Sequence, residues 1–270
     1  MVKSDPKTVI IVQARMTSTR LPGKVLKEVL GKPLLQYQIE RLQRIPAADQ
    51  IVIATTVNET DQPIVDLCDR LGVPVHRGSE QDVLARYYEA ATQFQAEAIV
   101  RVTSDCPFID PGVTQQVIAY YQQHRPQYDY VANFSLDRRT YPRGLDTEVF
   151  SYQALQESHQ QATAAEQREH VTPFIYQHPE HYAIAALHDC DKPLAADYSH
   201  HRWTVDTPED FELIRRMLTE LMLMNPEFSW KDSLQLLDQF PDWQQINACI
   251  EQKSLRNRTL TEYKINEVRR

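Results

Sequence analysis

Glycine is scarce in this chain, with six in 270 residues, and the common glycine-rich nucleotide-binding motifs are absent. No GxGxxG fingerprint of a dinucleotide-binding fold occurs. The P-loop pattern GxxxxGKS/T also fails: Gly23 and Lys24 match its glycine–lysine pair, but Ser18 stands where its first glycine belongs. Where glycine is this rare, its positions mark backbone that needs unusual angles or a close approach. Two of the six, Gly23 and Gly78, lie in short polar stretches that also contain arginines.

Features that would indicate a membrane, secreted or metal-scaffold protein are also missing. No run of about 18 apolar residues occurs, so a transmembrane helix is not expected. The apolar run near the amino terminus is too short for the apolar region of a signal peptide. The four cysteines are scattered without metal-site spacing, as expected for reduced thiols in a cytoplasmic protein. The net charge of −8 argues against a general nucleic-acid-binding surface.

Short apolar runs alternate with helical patterns through the first half of the chain. This alternation indicates a parallel sheet covered by helices on both faces. We therefore predict an α/β fold with a doubly wound, mostly parallel sheet and a helical C-terminal extension. The predicted strands are 9–12, 50–55, 73–76, 98–102, 128–134, 147–150, 182–187 and 203–205, and the predicted helices are 34–44, 62–71, 81–94, 111–124, 152–161, 166–177 and 208–223.

The loop after the first predicted strand, QARMTSTRLPGK, is unusually rich in cations and hydroxyls. It contains Arg15, Arg20 and Lys24 close to Gly23. Ligands of open parallel sheets bind at the carboxyl ends of the strands, where this loop lies. Each of the three cations can donate charge-assisted hydrogen bonds to phosphate oxygens. In an acidic chain, this local cluster favours a triphosphate-binding loop over an ordinary solvated basic loop.

Two aspartates in later loops can complement these cations. Asp105 follows the fourth predicted strand, in RVTSDCPFID, where a carboxylate is either a Mg²⁺ ligand or a helix cap. Asp206 follows a short predicted strand in HRWTVDTPEDFELI and precedes the helix cap Thr207. Glu209 and Asp210 match the preference of helix starts for acid and need no further function. Two carboxylates from distant strand ends can hold one or two Mg²⁺ ions against a nucleotide.

Five motifs together resemble a known enzyme family. They are QARMTSTRLPGKVL, HRGSEQDVLARYYEAA, TSDCPFIDP, REHVTPFIY and RWTVDTPEDFELI. The first is similar to the A-R-x-x-S-x-R-x-x-x-K signature of the cytidylyltransferases that make CMP-activated sugars, the group of the CMP-Kdo and CMP-sialate synthetases. Taken together, the five most resemble the spore-coat-polysaccharide branch of that family, over about residues 9–223.

The resemblance implies transfer of CMP from CTP to a sugar or sugar acid, with Mg²⁺ as cofactor, pyrophosphate as product and a role in surface-polysaccharide synthesis. Small molecules are then the partners, and a homodimer is expected because related synthetases are often dimers. The metal would be held by Asp105 and Asp206, which with Arg15 and Lys24 would form the catalytic set. The residues implied to bind the nucleotide are Ala14, Arg15, Ser18, Arg20, Lys24, Thr55, Thr56, Arg77, Gly78 and Ser79.

Acceptor-binding residues are expected in the second half of the chain. YPRGLDTEVF places Arg143 and Asp146 in a turn before a strand, and REHVTPFIY places Arg168 and His170 at the start of a helix. Either arginine can bind an acceptor carboxylate or phosphate. The alternatives are an ordinary surface turn and a helix start with a neutral core or cap histidine. The chain has Q-A-R where many CMP-sugar synthetases have P-A-R, and S-D-C-P where the Kdo enzymes have G-D-E-P, so the acceptor stays open.

The chain is expected to divide into a nucleotidyltransferase domain, 1–224, and a helical extension, 225–270, with acceptor and dimerisation elements at about 128–190. Two other functions remain: a glycosyltransferase that uses a nucleotide-sugar, and a non-catalytic nucleotide-binding relative. A nucleotide-sugar carries a diphosphate and needs fewer cations in the first loop. A non-catalytic relative would have no reason to keep the two cations and two aspartates of the catalytic set together.

Overall fold

A seven-stranded, mostly parallel sheet forms the centre of the computed structural model, which describes residues 6–135, 138–187 and 196–251. The strands are β1 (Thr8–Gln13), β2 (Glu28–Val29), β3 (Lys32–Pro33), β4 (Gln50–Thr56), β5 (Val75–Gly78), β6 (Ala98–Thr103), β7 (Tyr130–Ala132), β8 (Glu148–Ser151) and β9 (Ile184–Ala186). The order in the sheet is β5–β4–β1–β6–β8–β7–β9, and β2 pairs with β3 in a separate ribbon. Only β8 runs antiparallel to its neighbours among these seven described strands.

Helices cover both faces of the sheet, which confirms the predicted doubly wound α/β fold. They are α1 (Leu34–Leu42), α2 (Gln62–Leu71), α3 (Val83–Gln93), α4 (Pro111–Gln123), α5 (Tyr152–Gln161), α6 (Ala165–His170), α7 (Pro173–Tyr176), α8 (Pro208–Met224) and α9 (Trp230–Gln239). In β1, Ile10 and Val12 pack in the cluster of α1, α2 and α4, whereas Val9 and Ile11 pack with α3 and α5. No helix within the described ranges is long and apolar enough to cross a membrane.

The described part of the predicted C-terminal extension is helical and packs closely on the rest of the molecule. Phe228 and Leu236 lie in one apolar cluster with Leu213 of α8, Trp203 and Leu21 of the first loop. The extension therefore shares a core with the loop that carries the candidate phosphate-binding residues. The division at residue 224 stays a prediction, and residues 252–270 lie outside the described ranges.

Three predicted elements are wrong in detail. The short strand at 203–205 does not form, because only Arg202 makes an isolated bridge, to Arg143, and the backbone N–H of Val205 instead donates to the carbonyl of Asp105. The helix at 166–177 is two short helices separated at Val171, where φ is 72°. The second helix can begin at Pro173 because the first turn of a helix tolerates the missing N–H of proline.

The third predicted strand is shifted by two residues. Val73 closes the end of α2 through a 2.9 Å hydrogen bond to the carbonyl of Cys68, so β5 starts at Val75. As a result Arg77 and Gly78 belong to the end of β5 rather than to the loop that follows it.

Candidate active site

The loop after β1 is folded tightly enough to direct its cations to one place. The carbonyl of Met16 accepts hydrogen bonds from the backbone N–H groups of Ser18, at 3.0 Å, and Gly23, at 2.9 Å. Gly23 has a φ of 67°, a left-handed conformation that suits glycine, and it leads directly into a 3₁₀ turn at Lys24–Leu26. This glycine therefore allows the backbone to turn immediately before Lys24.

Lys24 lies between the two aspartates of the predicted metal site. Its Nζ is 3.3 Å from Oδ2 of Asp105 and 2.8 Å from Oδ1 of Asp206. Asp105 follows the carboxyl end of β6, and Asp206 precedes α8. The backbone hydrogen bond from Val205 to the carbonyl of Asp105, 2.8 Å long, joins the two loops directly. The fold thus brings together a cation and two carboxylates from three separate segments.

Burial and ion pairing act in opposite directions on the pKa values of Lys24 and Asp105. Burial disfavours the ammonium of Lys24, but Asp105 and Asp206 outweigh this effect and raise its pKa above the usual 10.5. Burial also disfavours the carboxylate of Asp105, but Lys24 and the hydroxyl of Thr103, 2.5 Å away, outweigh it and lower the pKa of Asp105. Burial, reinforced by the charge of Asp105, raises the pKa of the neighbouring Cys106 thiol, which therefore stays protonated.

Asp206 is surrounded by further cations. Its Oδ2 lies 3.0 Å from a terminal nitrogen of Arg20 and accepts a hydrogen bond from Arg202 at 2.8 Å. The same guanidinium of Arg202 binds Asp210, which is fully buried and also accepts the backbone N–H groups of Asp206 and Thr207. Asp210 was expected only to favour the helix start, so its contact with Arg202 was not predicted. The spacing of these residues along the chain gives no signal that their side chains meet.

The start of the first loop, with Arg15 and Thr17, contacts a different carboxylate, that of Glu80. Arg15 lies 3.7 Å from Glu80, and the hydroxyl of Thr17 donates to the same carboxylate at 2.5 Å. Asn58, in the loop after β4, donates to Glu80 at 2.6 Å. Glu80 therefore joins three loops at the carboxyl edge of the sheet, a role that the sequence did not predict. Arg15 does not contact the Lys24 group in this structure, although both lie on the same loop.

Most residues predicted to bind the base and ribose make hydrogen bonds within the protein that hold the neighbouring loops in place. Thr55 and Thr56 are fully buried, and both hydroxyls donate to Asp61. Arg77 donates to the carbonyls of Thr56 and Asn58 and so ties the loop after β4 to β5. Of the remaining predicted nucleotide-binding residues, the buried ones are Ala14 and Gly78, and Ser79 Oγ accepts the backbone N–H of Asp82 at 3.1 Å.

The two predicted acceptor arginines have different environments. The guanidinium of Arg143 makes no hydrogen bond or ion pair with residues in the described ranges, and burial, with Arg139 nearby, lowers its pKa. Asp146 is instead held by both terminal nitrogens of Arg139. Gly144, between them, has a φ of 104°, and a Cβ there would lie 2.8 Å from the backbone carbon of Trp203. The turn therefore packs against the segment that leads to Asp206.

Arg168 is occupied in a structural contact. Its Nε lies 3.1 and 3.0 Å from the two carboxylate oxygens of Asp82, which caps α3, and another nitrogen donates to the carbonyl of His159 at 2.7 Å. Arg168 and His170 lie at the end of α6 and not at the start of a helix, which corrects the prediction. Burial lowers the pKa of His170.

A sequence model of the family described as Cytidylyltransferase matches residues 9–255. The chain belongs to this family. It is 34% identical to the spore coat polysaccharide biosynthesis protein SpsF of Bacillus subtilis strain 168 over 237 residues, 86% of this chain and 94% of that protein. It is 31% identical to the 3-deoxy-manno-octulosonate cytidylyltransferase of Geobacter metallireducens over 115 residues, 42% of this chain and 44% of that one.

A solved structure has a closely similar fold. It is a cytidylyltransferase from Leptospira borgpetersenii serovar Hardjo-bovis, with a TM-score of 0.82 and 30% sequence identity, and the match covers 89% of this chain and 97% of that one. The predicted family and fold class are therefore confirmed. The roles of individual site residues stay predictions.

The donor set of this cytidylyltransferase fits a magnesium ion. Mg²⁺ prefers oxygen ligands, and the ammonium of Lys24 shows that Asp105 and Asp206 can reach one cation together. Across the described residues no group of three or more histidine, cysteine or acidic side chains is arranged to hold a metal. Two carboxylates would thus need phosphate oxygens and water to complete the octahedron, as is usual for Mg²⁺ bound with a nucleotide.

Proposed function

We propose that this cytidylyltransferase transfers CMP from CTP to a hydroxyl of a sugar or sugar acid and releases pyrophosphate. The observation that carries the proposal is the position of Lys24 between Asp105 and Asp206, with Arg20 beside them. A cationic loop opposite two carboxylates is suited to a metal–triphosphate, in which phosphate and metal each need a partner of opposite charge.

The chemistry requires little covalent help from the protein. The acceptor oxygen bonds to the α-phosphorus of CTP, the bond from that phosphorus to the bridging oxygen breaks, pyrophosphate leaves, and the hydroxyl proton passes to solvent. Arg15, Arg20 and Lys24 would bind the leaving phosphates, and Lys24 would exchange its carboxylate partners for phosphate oxygens. Bound Mg²⁺, with Asp105 and Asp206 as protein ligands, would neutralise charge at the α-phosphate.

A sugar or sugar acid is the proposed acceptor because the related proteins are named for polysaccharide biosynthesis and for 3-deoxy-manno-octulosonate cytidylyl transfer. Arg143 is the better candidate for binding an acidic group, since its guanidinium is not committed to a described partner, whereas Arg168 is bound to Asp82. The proposal includes a homodimer, which light scattering coupled to size-exclusion chromatography would test directly.

A pyrophosphate-release assay tests the reaction. The purified protein would be given CTP, UTP, ATP or GTP with a panel of acidic and neutral sugars, in Mg²⁺ or in EDTA. We expect release only with CTP, an acidic or related sugar and the metal. Turnover with UTP and not CTP would overturn the base assignment.

Assays of the same purified protein distinguish the two alternative functions. Sugar transfer from a nucleotide-sugar, without pyrophosphate release from any nucleoside triphosphate, would favour a glycosyltransferase. Tight CTP binding without turnover on any sugar of the panel would favour a non-catalytic relative. A Lys24→Met variant provides the chemical control, because a contaminating enzyme would not respond to that substitution.

A further inference from the structure

Segment 230–247, near the C-terminus, is joined to both loops that carry the candidate metal ligands. Asp110, in the loop that begins with Asp105, caps α4 with one carboxylate oxygen and accepts the backbone N–H of Trp230 with the other, at 2.8 Å. Trp230 is the first residue of α9. One end of the segment is therefore hydrogen-bonded to the loop after β6, through a buried carboxylate.

The other end reaches the surroundings of Asp206. Asn247 is 4% exposed, and its Nδ2 donates to the carbonyl of Arg202 at 2.9 Å and to Oδ1 of Asp210 at 2.8 Å. Arg202 and Asp210 are themselves buried and bound to each other, with Nε of the arginine 2.9 Å from Oδ1 of the aspartate. Asn247 thus supplies one hydrogen-bond donor to the main-chain carbonyl of Arg202 and one to the buried carboxylate of Asp210.

Both partners of Asn247 act directly on Asp206. Arg202 donates to the side-chain oxygen Oδ2 of Asp206 at 2.8 Å, and Asp210 accepts the backbone N–H of Asp206 at 3.0 Å. The side chain and the main chain of Asp206 are therefore held by two residues that Asn247 holds in turn. Groups of this kind fix the orientation of a metal ligand, and their loss typically costs 10- to 100-fold in metal affinity or activity.

We propose that Asn247 is a positioning residue for the metal-binding carboxylate of Asp206, so that segment 230–247 supports the catalytic site. This inference rests on the proposed function, because it takes Asp206 as a metal ligand. Asn247 would act through its hydrogen bonds to Arg202 and Asp210, because within the described residues it makes none to Lys24 or Asp206.

The test compares two substitutions within the same segment. Asn247→Leu removes the amide and keeps a similar volume. Ser233→Ala is the matched control, because Ser233 is fully buried in α9 and, among the described residues, its hydroxyl donates only to the carbonyl of Ser229. Mn²⁺ binding would be measured by electron paramagnetic resonance in the presence of a non-hydrolysable CTP analogue, alongside kcat and KM for CTP and the midpoint of urea unfolding.

We expect Asn247→Leu to weaken Mn²⁺ binding by about 10-fold or more and to lower kcat with little change in the KM for CTP. Ser233→Ala should retain the Mn²⁺ affinity and the kcat of the parent protein. Asn247→Ser, which keeps a short donor, should recover part of the affinity and also serves if the leucine variant does not fold.

Equal Mn²⁺ affinity in the parent and in the Asn247 variants would overturn the proposal. So would a loss of Mn²⁺ affinity in Ser233→Ala as large as the loss in Asn247→Leu. A failure of the proposed function is distinguishable from these results. In that case the parent protein itself would release no pyrophosphate from CTP, whatever residue stands at position 247.

Discussion

The ammonium of Lys24 lies 2.8 Å from a carboxylate oxygen of Asp206, a residue 182 positions later in the chain. The same ammonium reaches Asp105, 81 positions away. The ammonium of Lys24 is thus paired with both carboxylates. Under the proposed function, a nucleotide that brings its own phosphates and metal would replace these pairs, so the same group would serve as a structural contact and as a binding site.

Removing the charge of Lys24 should separate these two roles. Lys24→Met should lower kcat/KM for CTP by about 10- to 100-fold, the effect of one charged hydrogen bond to phosphate. It should also tighten Mn²⁺ binding in the absence of nucleotide, because the ammonium no longer competes for Asp105 and Asp206. Lys32→Met, whose parent ammonium binds Glu40 on the β3–α1 segment, is the control and should change neither quantity. Weaker Mn²⁺ binding in Lys24→Met would contradict competition for the same carboxylates.

Gly144 should be required by the segment that leads to Asp206. An alanine at this position would need a φ of 104° and would place its Cβ 2.8 Å from the backbone of Trp203. Relieving this contact would require the backbone itself to move. Gly31 provides a control, because its φ is 74° but a Cβ at this position would have nothing within 4 Å. Gly31→Ala should cost about 1–2 kcal/mol of unfolding free energy. Urea unfolding should give a clearly larger loss for Gly144→Ala, with reduced turnover. Similar losses for the two variants would show that the contact with Trp203 is unimportant.

The two acceptor candidates should respond differently to truncation. Arg168→Ala should lower the free energy of unfolding by about 1–3 kcal/mol, because it breaks the contacts to Asp82 and the carbonyl of His159. Arg143→Ala should leave stability nearly unchanged and raise the KM for an acidic acceptor, since its guanidinium has no hydrogen-bonding partner within the described residues. Steady-state kinetics and urea titration of both variants check this. A rise in acceptor KM for Arg168→Ala alone would reverse the assignment.

Acidification should destabilise the protein through His201. Burial, reinforced by His200 and partly opposed by Asp238, lowers the pKa of His201 to about 4. The folded state therefore resists protonation that the unfolded chain accepts near the usual 6.5, so stability falls as pH decreases from about 6.5 to about 4. His201→Phe, which keeps a ring against Trp203, should lose less stability over this range.

His181→Phe is the control for that comparison, because its side chain is 72% exposed. Urea unfolding at pH 7, 5.5 and 4.5 checks the prediction. An identical pH dependence in His201→Phe and in the parent protein would remove His201 as the cause.

Much of the candidate site was predictable because it depends on local pattern. The loop after β1 was recognisable from its cations and from Gly23, which has the left-handed backbone that its rarity suggested. Asp105 was recognisable because it follows an apolar strand, and all parallel strands of a sheet end at the same edge. The helix at Pro208–Met224 was predicted almost to its ends, since Thr207 and Pro208 mark a helix start.

Other features were not predictable, because they depend on which distant side chains meet. Nothing in the local sequence of Glu80 indicates that it accepts hydrogen bonds from both Thr17 and Asn58. Thr55 and Thr56 were implied to bind the nucleotide, yet both are fully buried and their hydroxyls donate to Asp61. Both Arg143 and Arg168 were candidates for the acceptor site, and only the tertiary contacts of Arg168 with Asp82 and the carbonyl of His159 distinguish them.

The sequence by itself determined the α/β layering, the family and the cationic loop, because periodicity, helix starts and short motifs are properties of neighbouring residues. The tertiary structure alone decided that Lys24 stands between Asp105 and Asp206 and that Asn247 supports Arg202 and Asp210. These contacts join segments far apart in the chain, and their geometry follows from how strands, helices and core side chains pack together.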